Sequence, residues 1–213
     1  QFGNEDPMFE VDALPFLAAG YDAAAKFYQV HKPYVDKRMA ARGIRVLFSV
    51  PWPGQGIYTK APLKAVEDLK GVKFRTYSPG TSRLAELLGA VPTTVQLSEL
   101  AQAFATNIVT AMITSAAGGV GPKAWEYSKF FYDTSAFLPR NAVIVNERAF
   151  QRLPEAQRNA ILKAAADAEA RGWDLSRKDN TAAVKTLSDN GMTIVRRSEE
   201  HTSELQSHHD LVC

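Results

Sequence analysis

Glu67-Asp68-Leu69-Lys70-Gly71-Val72-Lys73-Phe74-Arg75-Thr76-Tyr77-Ser78-Pro79-Gly80-Thr81-Ser82 is the stretch on which the fold turns. Val72, Phe74 and Thr76 alternate with Lys73, Arg75 and Tyr77, the two-residue period of a strand. Ser78-Pro79-Gly80 supplies turn chemistry, and Thr81 or Ser82 stands where a helix over Arg83–Leu88 needs its cap, with Gly89 as its stop. Strand, tight turn and helix in that order are the unit of an α/β protein, whose ligands settle at the carboxyl ends of strands beside free helix N–H groups. Arg75 falls near such a strand end and carries a flat, permanently charged fork suited to a carboxylate. Spacing alone favours a surface arginine in a salt bridge.

Working outward, Ile44–Val50 is a strand that runs into Pro51-Trp52-Pro53-Gly54-Gln55-Gly56, a rigid and then permissive turn. Trp52 is either a packing anchor or an aromatic pocket wall, since two flanking prolines leave it little freedom to lose on binding. Tyr58–Leu63 leads through a short turn into the Arg75 stretch. Upstream, Asn4–Leu17 reads as loop, and Asp22 as the cap of a helix to about Ala41 that Gly43 ends. Pro33 predicts a break or kink in that helix, and His31, with no ligand cluster around it, is expected at the surface.

Downstream, Pro92–Gln96 and Ile108–Thr114 read as strands around a helix capped by Ser98 and running to about Asn107. Gly118-Gly119-Val120-Gly121-Pro122-Lys123 matches neither the phosphate-loop spacing nor G-x-G-x-x-G. Its small residues are expected to let backbone approach a ligand or strand closely. Lys123–Phe131 is predicted as an aromatic-rich helix, Tyr132–Pro139 as extended, and Asn141–Asn146 as a buried strand. Pro154 opens a helix that continues to Asn190-Gly191, roughly 50 Å at 1.5 Å per residue if unbroken. Met192–Val195 reads as a last strand. Alternating strands and helices predict parallel or mixed sheets with helices on both faces.

Composition excludes several classes. No apolar run approaches the ~18 residues of a membrane span. The first residues lack the basic and apolar regions of a signal peptide, and there is no initiating Met, so the true N-terminus is expected to be missing. The one cysteine, Cys213, allows no disulfide within the chain. From about Arg197 hydrophobic periodicity stops, and Arg197–Ser207 resembles a translated sequencing adapter. The histidines at 201, 208 and 209 beside Cys213 are therefore not read as a metal site. Residues 198–213 hold four of the 23 acids and no Lys or Arg, which leaves 25 bases against 19 acids, a formal +6. That balance suits an anionic ligand and is too diffuse to argue for nucleic acid.

Several stretches, in order, carry a family likeness. They are Asn4-Glu5-Asp6-Pro7, Pro15-Phe16-Leu17-Ala18, Pro51-Trp52-Pro53-Gly54-Gln55-Gly56, Asp68-Leu69-Lys70-Gly71-Val72-Lys73-Phe74-Arg75 and Leu138-Pro139-Arg140-Asn141. Together they resemble the solute-binding proteins of tripartite ATP-independent periplasmic (TRAP) transporters, of the dicarboxylate-binding type.

The resemblance implies an α/β, two-lobed periplasmic binding protein type II-like fold with crossing strands and a long lobe-spanning helix. Lobe I would take residues 1–57 without its first strands, and lobe II residues 58–138. Residues 139–190 would give a lobe I strand and the spanning helix, 191–196 the return toward lobe II, and 197–213 a non-native tail. The resemblance further implies truncation at both ends and a periplasmic location.

The implied function is capture of an organic acid for delivery to the small and large TRAP membrane subunits, with no cofactor, no metal and no catalytic group. In the family an arginine ending the Lys-Gly-x-Lys-x-Arg strand clamps the ligand carboxylate, and Arg75 matches it. A later small amide or hydroxyl residue maps near Thr114 and Ser115, and Trp52, Gln55 and Tyr77 complete the expected ligand-binding set. Thr110-Ala111 and Thr114 depart from the pattern of many relatives, which leaves the identity of the acid open. The aromatics at Trp52, Tyr77 and Phe137 lean toward an acid with an apolar body. Two other classes compete: an α/β enzyme acting on a carboxylate, and a sensory ligand-binding module. An enzyme needs a nucleophile or an acid–base pair; no G-x-S-x-G or metal-ligand spacing is found, and His31 is the only histidine before the tail.

Overall fold

The computed structural model describes residues 5–196. In place of the expected loop, Pro7–Ala13 winds into a 3-10 turn, because Asp6 accepts the Met8 N–H at 3.0 Å and Pro7 stands where no donor is needed. Helix α1 (Tyr21–Ala40) follows and passes through Pro33. The proline removes one hydrogen bond, and burial of Tyr28, His31 and Met39 along the helix holds it together. Gly20, at φ +81°, occupies the cap position expected of Asp22. The strands β1 (Ile44–Pro51), β2 (Gln55–Thr59) and β3 (Lys73–Thr76) come next, then α2 (Pro79–Leu87), β4 (Val91–Thr94), α3 (Leu100–Ala105) and β5 (Ala111–Ser115). The chain continues with α4 (Ala116–Val120), β6 (Phe130–Asp133), β7 (Arg140–Asn146), α5 (Glu147–Gln151), α6 (Glu155–Asp189) and β8 (Thr193–Arg196).

These strands make two sheets. The small one pairs β1 with β7 antiparallel, Ile44 opposite Asn146 and Pro51 opposite Arg140. The large one has the order β4-β3-β5-β2-β6-β8, with β3 parallel to β4 and β5, β2 antiparallel to β5 and β6, and β8 parallel to β6. Helices cover both its faces. Tyr58, Leu100, Phe104, Met112, Phe131 and Leu187 form the core on one side, and Leu69, Phe74, Ala85, Ile113 and Phe137 the core on the other. The architecture is the mixed α/β one expected from the sequence.

Two segments connect the sheets side by side. Trp52 donates its N–H to Pro139 O at 2.7 Å, Gln55 N–H to Phe137 O at 3.0 Å, and Ala136 N–H to Gln55 O at 3.1 Å. Gly54 is required there, since a β-carbon would lie 2.7 Å from Ser135 Oγ. The 35 residues of α6 run unbroken, about 52 Å. Midway the helix grips β1: Trp173 Nε1–H donates to Ser49 O at 3.1 Å, and Glu169 Oε2 accepts from Ser49 N–H at 2.9 Å and from the Tyr28 hydroxyl at 2.7 Å. At its end Ala183, Val184 and Leu187 enter the large sheet's core.

Further local details differ from, or add to, the sequence reading. Ser78, not Thr81 or Ser82, caps α2, by accepting the Thr81 N–H at 3.2 Å; the helix therefore starts at Pro79. Ser98 caps nothing: a 3-10 turn at Leu97–Glu99 precedes α3, and Glu99 Oε2 accepts from Gln96 N–H. The glycine-rich segment is helical as α4, capped by Ser115 on Gly118 N–H at 3.0 Å. Lys123–Phe131 is helical only in a turn at Ala124–Glu126; Phe130–Asp133 instead pairs with β2 and β8, where the tertiary fit of aromatics outweighs helical spacing. The strand β7 forms, but its side chains are mostly exposed rather than buried. The adapter-like tail from residue 197 lies outside the described residues.

Two expected outcomes follow from the small sheet. A β-carbon on Gly172 of α6 would stand 2.2 Å from Val50 Cγ1 of β1. Overpacking of this kind costs about 1–3 kcal/mol, more than the ~1 kcal/mol that removing a helical glycine gains, so Gly172→Val lowers the urea midpoint. Glu147 receives both Arg45 Nε at 2.7 Å and Arg45 Nη2 at 2.8 Å, which with Gln151 pulls its carboxyl down to about 2 from 4.5. Its stabilising contribution is full above about pH 4.5 and disappears as pH falls through 2; an NMR titration of Glu147 reads that midpoint.

Candidate ligand-binding site

Arg75 sits one residue before the end of β3, and both strand faces are covered there. Its side chain is 4% exposed. Nε–H donates to Val95 O just past β4 at 2.9 Å, and Nη1 to Ile113 O on β5 at 3.4 Å. The guanidinium therefore lies across the carboxyl ends of three parallel strands, the position where α/β sheets place ligands. Its flat face rests over the Tyr77 ring, 5.2 Å from the centroid. No described carboxylate forms an ion pair with it, and Nη2 has no hydrogen-bond partner among the described residues. Burial lowers its affinity for the proton, yet an arginine starts so high that it remains charged. A buried, uncompensated cation of this kind is costly to keep, and an arriving anion removes the cost.

The structure brings Gln55 and Tyr77 into this group directly. Tyr77 donates its hydroxyl to Gln55 Oε1 at 3.1 Å, while Gln55 Nε2 donates to Pro53 O at 2.9 Å, so Gln55 ties the site to the segment joining the sheets. Ser115 stands opposite Gln55 in the β2–β5 register and Thr114 opposite Gly56; both hydroxyl residues are buried at the carboxyl end of β5. Ser115 Oγ is spent on capping α4. A β-carbon on Gly118 would stand 2.4 Å from Thr114 Oγ1, so the glycines bring helix backbone against β5 as the sequence indicated.

Trp52 is 48% exposed and lines a cavity of about 250 Å³ with Ala117, Gly172, Leu175 and Ser176.

Sequence reasoning missed the setting of three residues. Tyr127, assigned to the core by its spacing, has a buried hydroxyl without a partner; burial, opposed by nearby Arg75, raises it to about 12. His31 is 5% exposed rather than at the surface: its Nε2 meets Met8 O at 2.9 Å and its Nδ1 meets Arg140 Nη2. Burial and the Arg140 charge hold its proton affinity below the ordinary value of 6.5. Arg140 also binds Asp12 Oδ2 through Nε at 3.0 Å, and its guanidinium lies over the Phe27 and Tyr28 rings. The one available signal was Arg140's place in the Leu138-Pro139-Arg140-Asn141 motif. Nothing in that motif points to partners more than a hundred residues upstream.

Comparison with known proteins decides the family. The model of "bacterial extracellular solute-binding protein, family 7" (DctP) matches residues 1–212. The chain belongs to this family. Among solved structures, the Bordetella pertussis extracytoplasmic solute receptor DctP7, described as binding pyroglutamic acid, is 48% identical with a TM-score of 0.90, over 97% of this chain and 68% of that one. A marine-metagenome TRAP solute-binding protein described as specific for pyroglutamate is 35% identical with a TM-score of 0.87, over 96% and 67%. The C4-dicarboxylate-binding periplasmic protein DctP of Rhodobacter capsulatus is 29% identical over 189 residues, 87% of this chain and 56% of that protein. The chain thus spans a little over half the length of such a curated relative. Among the described residues of this family 7 chain, no helix is long and apolar enough to cross a membrane, and no group of His, Cys, Asp and Glu is arranged to hold a metal.

Tyr77→Phe keeps the ring beneath Arg75 and deletes only the bond to Gln55. The expected loss is about 1 kcal/mol of stability, read from a chemical denaturation curve with an unchanged slope.

Proposed function

We propose that this chain is the greater part of an extracytoplasmic receptor that captures a small monocarboxylic acid, pyroglutamate in the first instance, for a TRAP transporter. The observation that carries the reading is the buried Arg75 guanidinium with no acid to pair with. A structural arginine in a folded interior is normally matched by a carboxylate; one left unmatched at the carboxyl ends of parallel strands is matched by what binds. Three relatives whose stated ligand is pyroglutamate are 50%, 48% and 35% identical to this chain, against 29% for the dicarboxylate-binding relative.

In this reading the small sheet with α1 belongs to lobe I and the large sheet to lobe II. The paired segments 51–55 and 133–140 serve as the hinge, and α6 spans both lobes. Arg75 binds the carboxylate, Tyr77 and Gln55 shape the floor around it, and Thr114 and Ser115 border it from β5. The receptor works outside the cytoplasm, in the periplasm, and hands its ligand to the small and large membrane subunits of the transporter. Trp52 offers an aromatic wall for the body of the acid.

Isothermal titration calorimetry of the intact protein with L-pyroglutamate tests the proposal. Arg75→Ala is expected to weaken binding by at least about 10- to 100-fold, the worth of a charge-assisted hydrogen-bonded pair, with Arg75→Lys intermediate because it keeps the charge and loses the fork. Unchanged affinity in Arg75→Ala sinks the assignment, and turnover of the bound acid would favour an enzyme.

A further inference from the structure

His31 is the only histidine of residues 1–196, and the binding of an acid leaves its placement unexplained. The ring is buried and stacked on Phe27, centroids 4.9 Å apart and planes 17° from parallel. Nε2 faces Met8 O and Nδ1 faces Arg140 Nη2. A carbonyl only accepts and a guanidinium only donates, so Nε2 carries the hydrogen and Nδ1 offers its lone pair. That is the neutral ring in one tautomer. A second proton would go to Nδ1, against the Arg140 N–H and its full positive charge. Arg140 is not free to turn aside. Its Nε–H and backbone N–H are held by Asp12 Oδ2 at 3.0 and 3.1 Å, and its Nη1 is already buried with no partner among the described residues. Loss of the His31 acceptor would leave both terminal nitrogens unpaired, which is costly in a buried setting.

These contacts fasten one segment. The Pro7–Ala13 turn is tied to α1 by His31 through Met8, and by Arg38, which reaches Asp6 Oδ2 at 2.6 Å. It is tied to β7 by Arg140 through Asp12. On its other side Ala13 packs on the core that holds Phe74, Ala136 and Phe137, and Phe16 N–H, just beyond, donates to Ala136 O at 2.7 Å. The turn is therefore a strap from the small sheet and its helix to the large sheet. A cavity of about 300 Å³ beside the ring, lined also by Tyr28, Ser49 and Asn141, has room for water to bring a proton. The charged groups around it are already engaged: Asp12 with Arg140, Asp6 with Arg38, Asp36 with Lys32, and Glu169 of α6 with Tyr28 and Ser49. We infer that His31 is a pH-sensitive latch: neutral, it clamps the Pro7–Ala13 turn to α1 and Arg140; protonated, it lets the turn go and loosens the strap between the two sheets. The inference does not rest on which acid the protein binds.

An NMR titration of the intact protein between about pH 8 and about pH 5, the range in which histidine titrates, tests the latch. At the upper end the ring nitrogens of His31 are expected to report the Nε2–H tautomer. The second proton is expected with a midpoint below the ordinary 6.5, because burial and the Arg140 charge disfavour it more than the Met8 carbonyl and Asp12 favour it. With the folded value depressed, the stability supplied by the latch is full above about 6.5 and is lost as pH falls through the folded midpoint. Hydrogen exchange, corrected for the intrinsic pH dependence, is expected to show residues 8–16 losing protection over that same range while β2, β3 and β5 keep theirs. In His31→Gln, whose amide can still donate to Met8 O and does not titrate, protection of the segment is expected to stay level. A His31 midpoint at or above 6.5 overturns the inference, as does protection of residues 8–16 that does not change through the midpoint. Both are read on the unmodified protein and need no variant to fold. The same loss of protection with pH in His31→Gln also overturns it, since another group would then be the switch.

Discussion

A permanently charged guanidinium enclosed by protein is the constraint around which the large sheet is arranged. Arg75 needs acceptors, and it draws them from Val95, just past the end of β4, and from Ile113, midway along β5. Parallel pairing of β3 with β4 and β5 is what brings both carbonyls to one place. The Tyr77 ring closes the face beneath, and Gln55 fixes the ring through its hydroxyl. None of these partners carries a full negative charge. The site is thus held in shape by neutral dipoles, with its electrostatic demand left for a ligand to meet.

The connection between the sheets ties that local arrangement to the small sheet. Trp52 with Pro139, and Gln55 with Phe137 and Ala136, lay two passing segments against one another without any sheet continuing across them. Gln55 belongs both to this junction and to the site, so a ligand touching Tyr77 and Gln55 is coupled to the geometry of the joint. Asp12 anchors the Pro7–Ala13 turn on Arg140 at the start of β7.

Much of this was legible in the chain. The β1 segment, the Arg75 strand and the long C-terminal helix declare themselves by periodicity, because each buries a regular face. Segments whose conformation is set by distant partners do not. Gly118 and Gly119 look like a loop until Thr114 and Tyr58 are seen to need the space that missing β-carbons leave. Phe130 and Phe131 fit a helical stripe equally well until β2 and β8 offer pairing on both sides. The site divides the same way. Arg75's place at a strand end is legible from period and motif, whereas His31 and Asp12 meet Arg140 only across 109 and 128 residues of chain. Trp52 had the stiffness of a pocket wall, and it walls a cavity, but its side lies against α4 and α6.

The long helix has an evolutionary corollary. Between Gly172, locked against Val50, and Leu187, seated in the far core, α6 carries no loop that can absorb a change in length. Inserting or deleting one residue there turns everything beyond it by roughly 100° and slides it by about 1.5 Å, which would point Leu187 into solvent. Substitutions along the exposed side of that span are nearly free, while indels are not. Drift in this part of the chain is therefore confined to the alphabet and barred from the spacing, so that in divergent descendants the distance from that glycine to that leucine outlasts the letters in between.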